Sequence, residues 1–103
     1  MNSARYLCSH LVNLRIGARE FTVNLEEIAE SGAVLESEEA VTADTKAEIR
    51  CAGAFFAGSI VEAEEHDFGW RLTMNFSPLT PWRLEEFEPA HLIPLKNGTS
   101  ESP

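Results

Sequence analysis

The stretch WRLTMNF, residues 70–76, alternates large apolar side chains with polar ones along its whole length. Trp70, Leu72, Met74 and Phe76 fall on one face of an extended chain, and the residues between them fall on the other. This period of two predicts a β-strand with one face in a hydrophobic core and one face in water. Most of the chain before this stretch shows the same period of two. The stretch therefore indicates an all-β fold class.

Five further segments carry this alternation and are bounded by turn residues. The predicted strands cover residues 12–16, 21–25, 33–35, 46–51 and 54–65. Ser31 and Gly32 suit a tight turn, since glycine reaches positive φ at little cost, and Gly58 marks a bulge or a close backbone approach. The acidic residues 36–45 predict an exposed connection. Six strands favour a small antiparallel barrel, because closure removes exposed strand edges, and an open sandwich is the alternative.

Residues 80–89 have a different character from the strands. Thr80 can cap a helix that starts at the following proline, and Pro89 discourages its continuation. The sequence therefore predicts a short C-terminal helix of about two turns, whose Trp82, Leu84 and Phe87 pack over an open end or edge of the sheet.

Domain organisation follows from the same reading. Residues 1–95 are expected to form one domain, in which residues 89–95 lie on the body as an irregular tail. The polar residues 96–103 are expected to be disordered.

Composition narrows the classes of function. The chain has 103 residues and a net charge of −9, so it repels phosphate backbones, and nucleic acid is excluded as an expected partner. No apolar run reaches the length of a membrane span, and the first residues do not have the pattern of a secretory signal. A cytoplasmic protein without membrane insertion is expected.

Catalytic and metal-binding patterns are weak in this sequence. Cys8 and His10 lie two residues apart, but no second ligand pair at metal-like spacing accompanies them, so no metal site is expected. No nucleophile elbow, Walker motif or dinucleotide glycine motif is present, and the paired glutamates are typical of a solvated surface. The two tryptophans, Trp70 and Trp82, are expected in the core. The chain is therefore not expected to be an enzyme.

Several motifs in chain order resemble the PilZ domain family. They are Arg5 before the first strand, EIAESGAVLES at 27–37, AEIRC at 47–51, AGSIVEA at 57–63 and GWRLTMNF at 69–76. The resemblance extends over residues 5–77 and implies a six-stranded β-barrel with an appended helix. It also implies a site for the bacterial second messenger cyclic di-GMP, formed by an Arg-x-x-x-Arg segment and an Asp/Asn-x-Ser-x-x-Gly motif.

This sequence carries only part of the two ligand motifs. Arg5 matches the first arginine, and Ser9 stands where the second arginine is expected. In the other motif Glu27 replaces the aspartate or asparagine, Ala29 replaces the serine, and Gly32 matches the glycine. Because Ser9 has no charge and Ala29 has no side-chain hydrogen-bonding group, the resemblance implies that cyclic di-GMP binding is weak or lost.

We therefore expect a non-enzymatic signalling or interaction module of PilZ type that has no cofactor and acts through a protein partner. The acidic surface and the predicted helix around residues 82–87 are the expected contacts. The first alternative is a cyclic di-GMP receptor with a modified site that uses Arg5 together with Arg15 or Arg19. The second is an enzyme of another class, which would need a polar pocket with perturbed titratable groups.

Overall fold

Seven β-strands account for most of the chain in the computed structural model, which describes residues 4–95. The strands are β1 Arg5–Ile16, β2 Arg19–Ala29, β3 Gly32–Ser37, β4 Thr45–Cys51, β5 Ala54–His66, β6 Gly69–Phe76 and β7 Ile93–Leu95. Each of the six predicted strands is present, and β1 and β2 are longer than expected. Tight two-residue turns join β1 to β2, β2 to β3, β4 to β5, and β5 to β6.

The first six strands close into an antiparallel barrel. Their order around the ring is β2, β3, β6, β5, β4 and β1, and β1 pairs back with β2 to complete it. The predicted barrel is confirmed, and the alternative of an open sandwich is wrong. Strand β7 lies outside the ring, where Ile93–Leu95 pairs with the first residues of β1.

The interior of the barrel is the hydrophobic core. Leu72, Met74 and Phe76 point inward as the alternation predicts, and Trp70 packs against them at the rim. The Phe56 ring stacks on the Phe76 ring, with their centroids 5.5 Å apart. The ten largest side chains that are almost completely buried are Phe56, Leu14, Leu25, Ile28, Leu35, Ile49, Ile60, Leu72, Met74 and Val23.

Strand β2 contains an irregularity at Glu26 that the sequence did not predict. Leu25 pairs with Leu35 of β3 and Glu27 pairs with Val34, so Glu26 is an extra residue. A β-bulge of this kind shifts the alternation by one residue. It explains why Leu25 and Ile28 are both buried although they lie three residues apart, and it leaves Glu26 and Glu27 together on the outer surface.

Two glycines allow neighbouring backbones to approach closely. Gly32 begins β3 and has no positive φ, so the expected role in a left-handed turn is wrong; the turn itself lies at Glu30 and Ser31. A Cβ at Gly32 would collide with the carbonyl oxygen of Met74, and one at Gly58 would collide with that of Asn75. The close approach predicted at Gly58 is therefore confirmed, and Gly32 plays the same role.

The connection between β3 and β4 is shorter than predicted, and part of it is buried. It runs over residues 38–44, and Val41 within it inserts into the core. At its start the Ser37 hydroxyl donates to the Glu39 carbonyl oxygen and accepts from the Glu39 amide. These contacts hold the acidic connection against the barrel.

No helix is present among residues 4–95, so the predicted C-terminal helix is not confirmed. Residues 84–86 form a single turn, in which the amides of Glu86 and Phe87 donate to the Arg83 carbonyl. The Trp82 amide donates instead to the Glu30 carbonyl, and the Thr80 hydroxyl is bonded to the backbone of Ala57. Because the Thr80 hydroxyl is bonded to Ala57, it does not cap the first amides of the predicted helix.

The segment between β6 and β7, residues 77–92, closes one end of the barrel, and we call it the closing segment. Trp82 and Phe87 are buried in the core as expected, whereas Leu84 is 42% exposed, so the packing expected of Leu84 is wrong. Trp82 Nε1 donates to the Phe87 carbonyl at 2.8 Å. The Tyr6 ring meets Trp82 edge to face at 5.5 Å. The expected irregular tail is wrong for residues 93–95, because they form β7. The predicted disordered segment 96–103 lies outside the described residues.

The described residues share one cluster of buried apolar side chains, which includes residues from every strand of the ring and from the closing segment. Residues 4–95 contain no helix that is long and apolar enough to span a membrane.

Candidate functional site

The ends of β1, β2 and β3 bring four of the five predicted site residues together. Arg5 pairs with Ala29 across the β1–β2 ladder, and Ala29 pairs with Gly32 across the β2–β3 ladder. Glu27 lies two residues before Ala29 on β2 and opposite Leu7 of β1. The barrel therefore assembles one corner from Arg5, Glu27, Ala29 and Gly32.

An ion pair occupies this corner. Arg5 Nη2 donates to Glu27 Oε1, and Arg71 Nη2 of β6 lies 3.8 Å from Glu27 Oε2. The Glu27 side chain is mostly buried, whereas about half of the Arg5 side chain is exposed. Both carboxylate oxygens of Glu27 thus face arginines, and the charge of Arg5 is balanced within the protein.

Ser9 does not join the corner. It is exposed on β1, four residues beyond Arg5 and about 13 Å along the strand. Its amide donates to the Ala90 carbonyl at 3.1 Å, which holds this part of β1 to the closing segment. Arg5 and Ser9 are nevertheless both exposed on β1, and the β1–β2 ladder shifts its register between Leu7 and His10.

The sequence reading missed three residues that extend the ion pair into a network. Arg71 Nη1 lies 3.7 Å from Glu26 Oε1, and the Glu36 carboxyl is a neighbour of Glu26. Burial raises the pKa of Glu26, as does the neighbouring Glu36 carboxyl, while Arg71 acts in the opposite direction. We call Arg5, Glu26, Glu27, Glu36 and Arg71 the Arg71 network.

Part of this network could have been predicted from the pairing of β3 with β6. Glu36 and Arg71 are direct partners across the β3–β6 ladder, and both lie on the polar side of alternating strands. An opposite-charge pair at such a position is a common cross-strand contact. Glu27 could not have been placed this way, because alternation from Leu25 would turn it inward and only the bulge at Glu26 leaves it on the outer surface.

The two arginines of the first alternative lie at the other end of the hairpin. Arg15 pairs with Glu20, ten residues along β1 from Arg5 and therefore about 33 Å away. Arg19 lies beside it, 3.1 Å from Glu39 and over the Phe21 ring. Neither can share a small ligand with Arg5.

His10 joins the two cysteine-bearing strands but does not form a catalytic pair. Its Nε2 lies 3.4 Å from Cys51 Sγ, and its Nδ1 accepts a hydrogen bond from the Ala90 amide at 3.0 Å. A neutral imidazole that accepts at Nδ1 carries its proton on Nε2 and cannot take the thiol proton there. Between residues 4 and 95, no cluster of three or more His, Cys, Asp and Glu side chains could hold a metal ion.

The Cys8 thiol is expected to react slowly in the folded protein. Burial raises the pKa of Cys8 from 9.0 to about 11, and the charges of Glu27 and Glu26 act in the same direction. This lowers the thiolate fraction at mildly alkaline pH by roughly a hundredfold. In a Cys51→Ser background, a disulfide reagent should label Cys8 far more slowly than in urea.

Glu27→Gln should accelerate this labelling, because it removes a negative charge that disfavours the thiolate. Glu20→Gln, at the far end of the β1–β2 hairpin, is the matched control and should change nothing. Equal labelling rates in the folded and unfolded protein would contradict the partly buried position of Cys8.

Comparison with known proteins adds no family to this description. No family model matches the chain, and no curated protein matches it in sequence. The function is therefore argued from the corner, the Arg71 network and the motif resemblance alone.

Proposed function

We propose that this chain is a non-enzymatic signalling or interaction module of PilZ type, located in the cytoplasm, with weak or lost binding of cyclic di-GMP. In this role it acts through a protein partner. The observation that carries the proposal is the contact between Arg5 and Glu27, which engages the one retained arginine with a carboxylate of the protein itself.

The balance of contacts at the corner disfavours a ligand with two phosphates. A missing charge-assisted hydrogen bond removes about 1.5–3 kcal/mol and a missing neutral one about 1 kcal/mol. Ser9 removes one charge-assisted hydrogen bond and Ala29 removes one neutral hydrogen bond. Together the two changes reduce the affinity for cyclic di-GMP by about two decades or more. The Arg5–Glu27 pair contributes less to this loss, because Arg5 is half exposed and exposed ion pairs are weak.

The expected contact surface is revised by the position of the closing segment. Trp82 and Phe87 are buried inside the barrel, so they are not available to a partner. The acidic outer surface is available, and it carries most of the net charge of −9. A partner of this module would therefore meet the sides of the barrel.

One observation favours the alternative of a cyclic di-GMP receptor with a modified site. Arg5 and Arg71 converge on Glu27 from different strands, so two guanidinium groups lie at one corner. If a ligand displaced Glu27, both arginines could reach its phosphates. This arrangement replaces the version of the alternative that used Arg15 or Arg19.

Titration calorimetry with cyclic di-GMP at low salt separates the two candidates. We expect no saturable binding in the low micromolar range for the unmodified protein. Low-micromolar binding that is lost in Arg5→Ala and in Arg71→Ala would overturn the proposal in favour of the receptor. Arg15→Ala is the control, because it removes an arginine from the opposite end of the hairpin.

Restoring the missing groups should create binding if the corner keeps its geometry. Ser9→Arg with Ala29→Ser and Glu27→Asn supplies the second arginine and the hydroxyl and releases Arg5. We expect affinity for cyclic di-GMP to rise by about two decades or more. Asn13→Arg with the same two other changes is the matched control, because Asn13 lies farther along the exposed face of β1. No gain in the Ser9→Arg variant would mean that the corner is not a degenerate nucleotide site.

A further inference from the structure

A groove on the outside of the barrel lies between the tip of the β5–β6 hairpin and the outer surface of β2 and β3. Its volume is about 510 Å³. The residues that line it come from four places in the chain, namely Leu11, residues 22–24, residues 36–38 and residues 66–70. The groove lies at a different place from the Arg5 corner, although Glu36 belongs both to it and to the Arg71 network.

Two exposed apolar side chains flank this groove. Phe68 at the hairpin tip is fully exposed, and Leu11 of β1 is 68% exposed. A single exposed apolar residue is common on a protein surface, but two that line one groove offer a shared apolar contact. Burying a leucine or phenylalanine side chain contributes about 1.5–3 kcal/mol, so the pair could anchor a binding partner.

The hairpin turn holds Phe68 in its exposed position. The turn consists of Asp67 and Phe68 between the paired residues His66 and Gly69. Asp67 has a φ of 53°, a left-handed conformation that aspartate tolerates better than most residues. Because a two-residue turn leaves the backbone little freedom, binding at Phe68 costs little further backbone entropy.

The polar lining of the groove is acidic. Glu36, Glu38 and Asp67 line it, and neither lysine nor arginine is among the described residues that do. The one basic group, His66, has its Nε2 3.6 Å from both Glu36 Oε2 and Asp67 Oδ2. The groove therefore attracts cations, and the overall charge of −9 strengthens the attraction.

We propose that this groove binds a basic, extended segment of a partner protein. An apolar side chain of the segment packs between Leu11 and Phe68, and its lysines or arginines pair with Glu36, Glu38 and Asp67. The charge excludes a nucleic acid or an anionic membrane, and it disfavours a second copy of this acidic chain. The inference rests on the proposed function, because it names the chemistry of the protein partner assumed there.

Fluorescence anisotropy with a short labelled peptide that alternates lysine and leucine tests the proposal. We expect saturable binding at low salt that weakens as salt is added. Phe68→Ser should weaken it by about tenfold or more, since it removes an apolar anchor without disturbing the core. Glu36→Gln with Glu38→Gln should also weaken it and reduce its salt dependence.

Matched controls distinguish binding in the groove from nonspecific binding elsewhere on the surface. Leu79 is 90% exposed in a turn outside the groove, so Leu79→Ser should leave the affinity unchanged. Glu85→Gln with Glu86→Gln removes the same charge elsewhere and should have a much smaller effect than the groove pair. A peptide that alternates glutamate and leucine should not bind.

Four results would overturn the proposal. They are the absence of saturable binding, equal losses in Phe68→Ser and Leu79→Ser, equal binding of the glutamate peptide, and self-association in sedimentation that Phe68→Ser abolishes. The last would assign the groove to a second copy of the chain. None of them decides whether cyclic di-GMP binds at the Arg5 corner, so a failure here is distinguishable from a failure of the proposed function.

Discussion

Trp82→Ala should lower the free energy of unfolding by about 3–5 kcal/mol, which is the usual range for removing a large buried aromatic side chain. Trp82 is only 4% exposed and fills the end of the barrel beside Tyr6. Its indole also donates to the Phe87 carbonyl, which would lose this partner. Urea unfolding followed by circular dichroism measures the change.

Leu84→Ala is the matched control for this substitution, because Leu84 lies in the same segment but remains partly exposed. We expect it to change the free energy of unfolding by less than about 1 kcal/mol. If Trp82→Ala were equally mild, the segment after β6 would be an appendage. The barrel would then not depend on it for closure at that end.

Gly58→Ala should destabilise the protein by about 3 kcal/mol or more, at the upper end of what overpacking causes. The added methyl group would overlap the carbonyl oxygen of Asn75 and press against the Cα of Phe76. These are backbone atoms of the neighbouring strand β6, so they can move only if the β5–β6 ladder separates. Thermal unfolding should show a markedly lower midpoint.

Ser59→Ala tests whether the effect of Gly58→Ala arises from the added Cβ. Ser59 is the next residue on β5 and already carries a Cβ, so its replacement should change stability by less than about 1 kcal/mol. If Gly58→Ala and Ser59→Ala were equally stable, β5 and β6 would have to be far enough apart at Gly58 to accept a Cβ.

The strands were predictable because local patterns determine them. Residues 70–76 alternate without interruption, and the core face that they predict is the one found. The barrel followed from the number of strands and the cost of leaving edges open. Strand β7 could not be predicted from the alternation, because Ile93 and Leu95 give too short a pattern. Its pairing partner, β1, also lies at the other end of the chain.

The wrong expectations have a common physical cause. Residues 80–89 have acceptable helix signals, but tertiary contacts of Trp82 and Thr80 with the barrel outweigh a preference worth a few tenths of a kcal/mol per residue. Gly32 was assigned to a turn because positive φ is the familiar reason for glycine. The actual reason is the backbone of Met74, which is distant in sequence.

The candidate site was predictable only where a motif marks it. Four of the motif positions meet at one corner, because the β1–β2 and β2–β3 ladders fix their register. Arg71 was missed because it belongs to neither ligand motif, although it lies within GWRLTMNF and its pairing with Glu36 could have suggested a charge contact. The groove beside Phe68 was also missed, since the sequence around it reads only as a polar hairpin tip.

The three partners of β1 have a consequence for how the chain is made. The strand pairs with β2 along its length, with β4 over Asn13–Arg15 and with β7 over Arg5–Leu7. Its hairpin with β2 is local and can form early during synthesis, but its opposite edge must wait for strands that emerge much later. Until residues 93–95 leave the ribosome, the first strand of the nascent chain carries open hydrogen-bonding groups that other unfinished chains could engage.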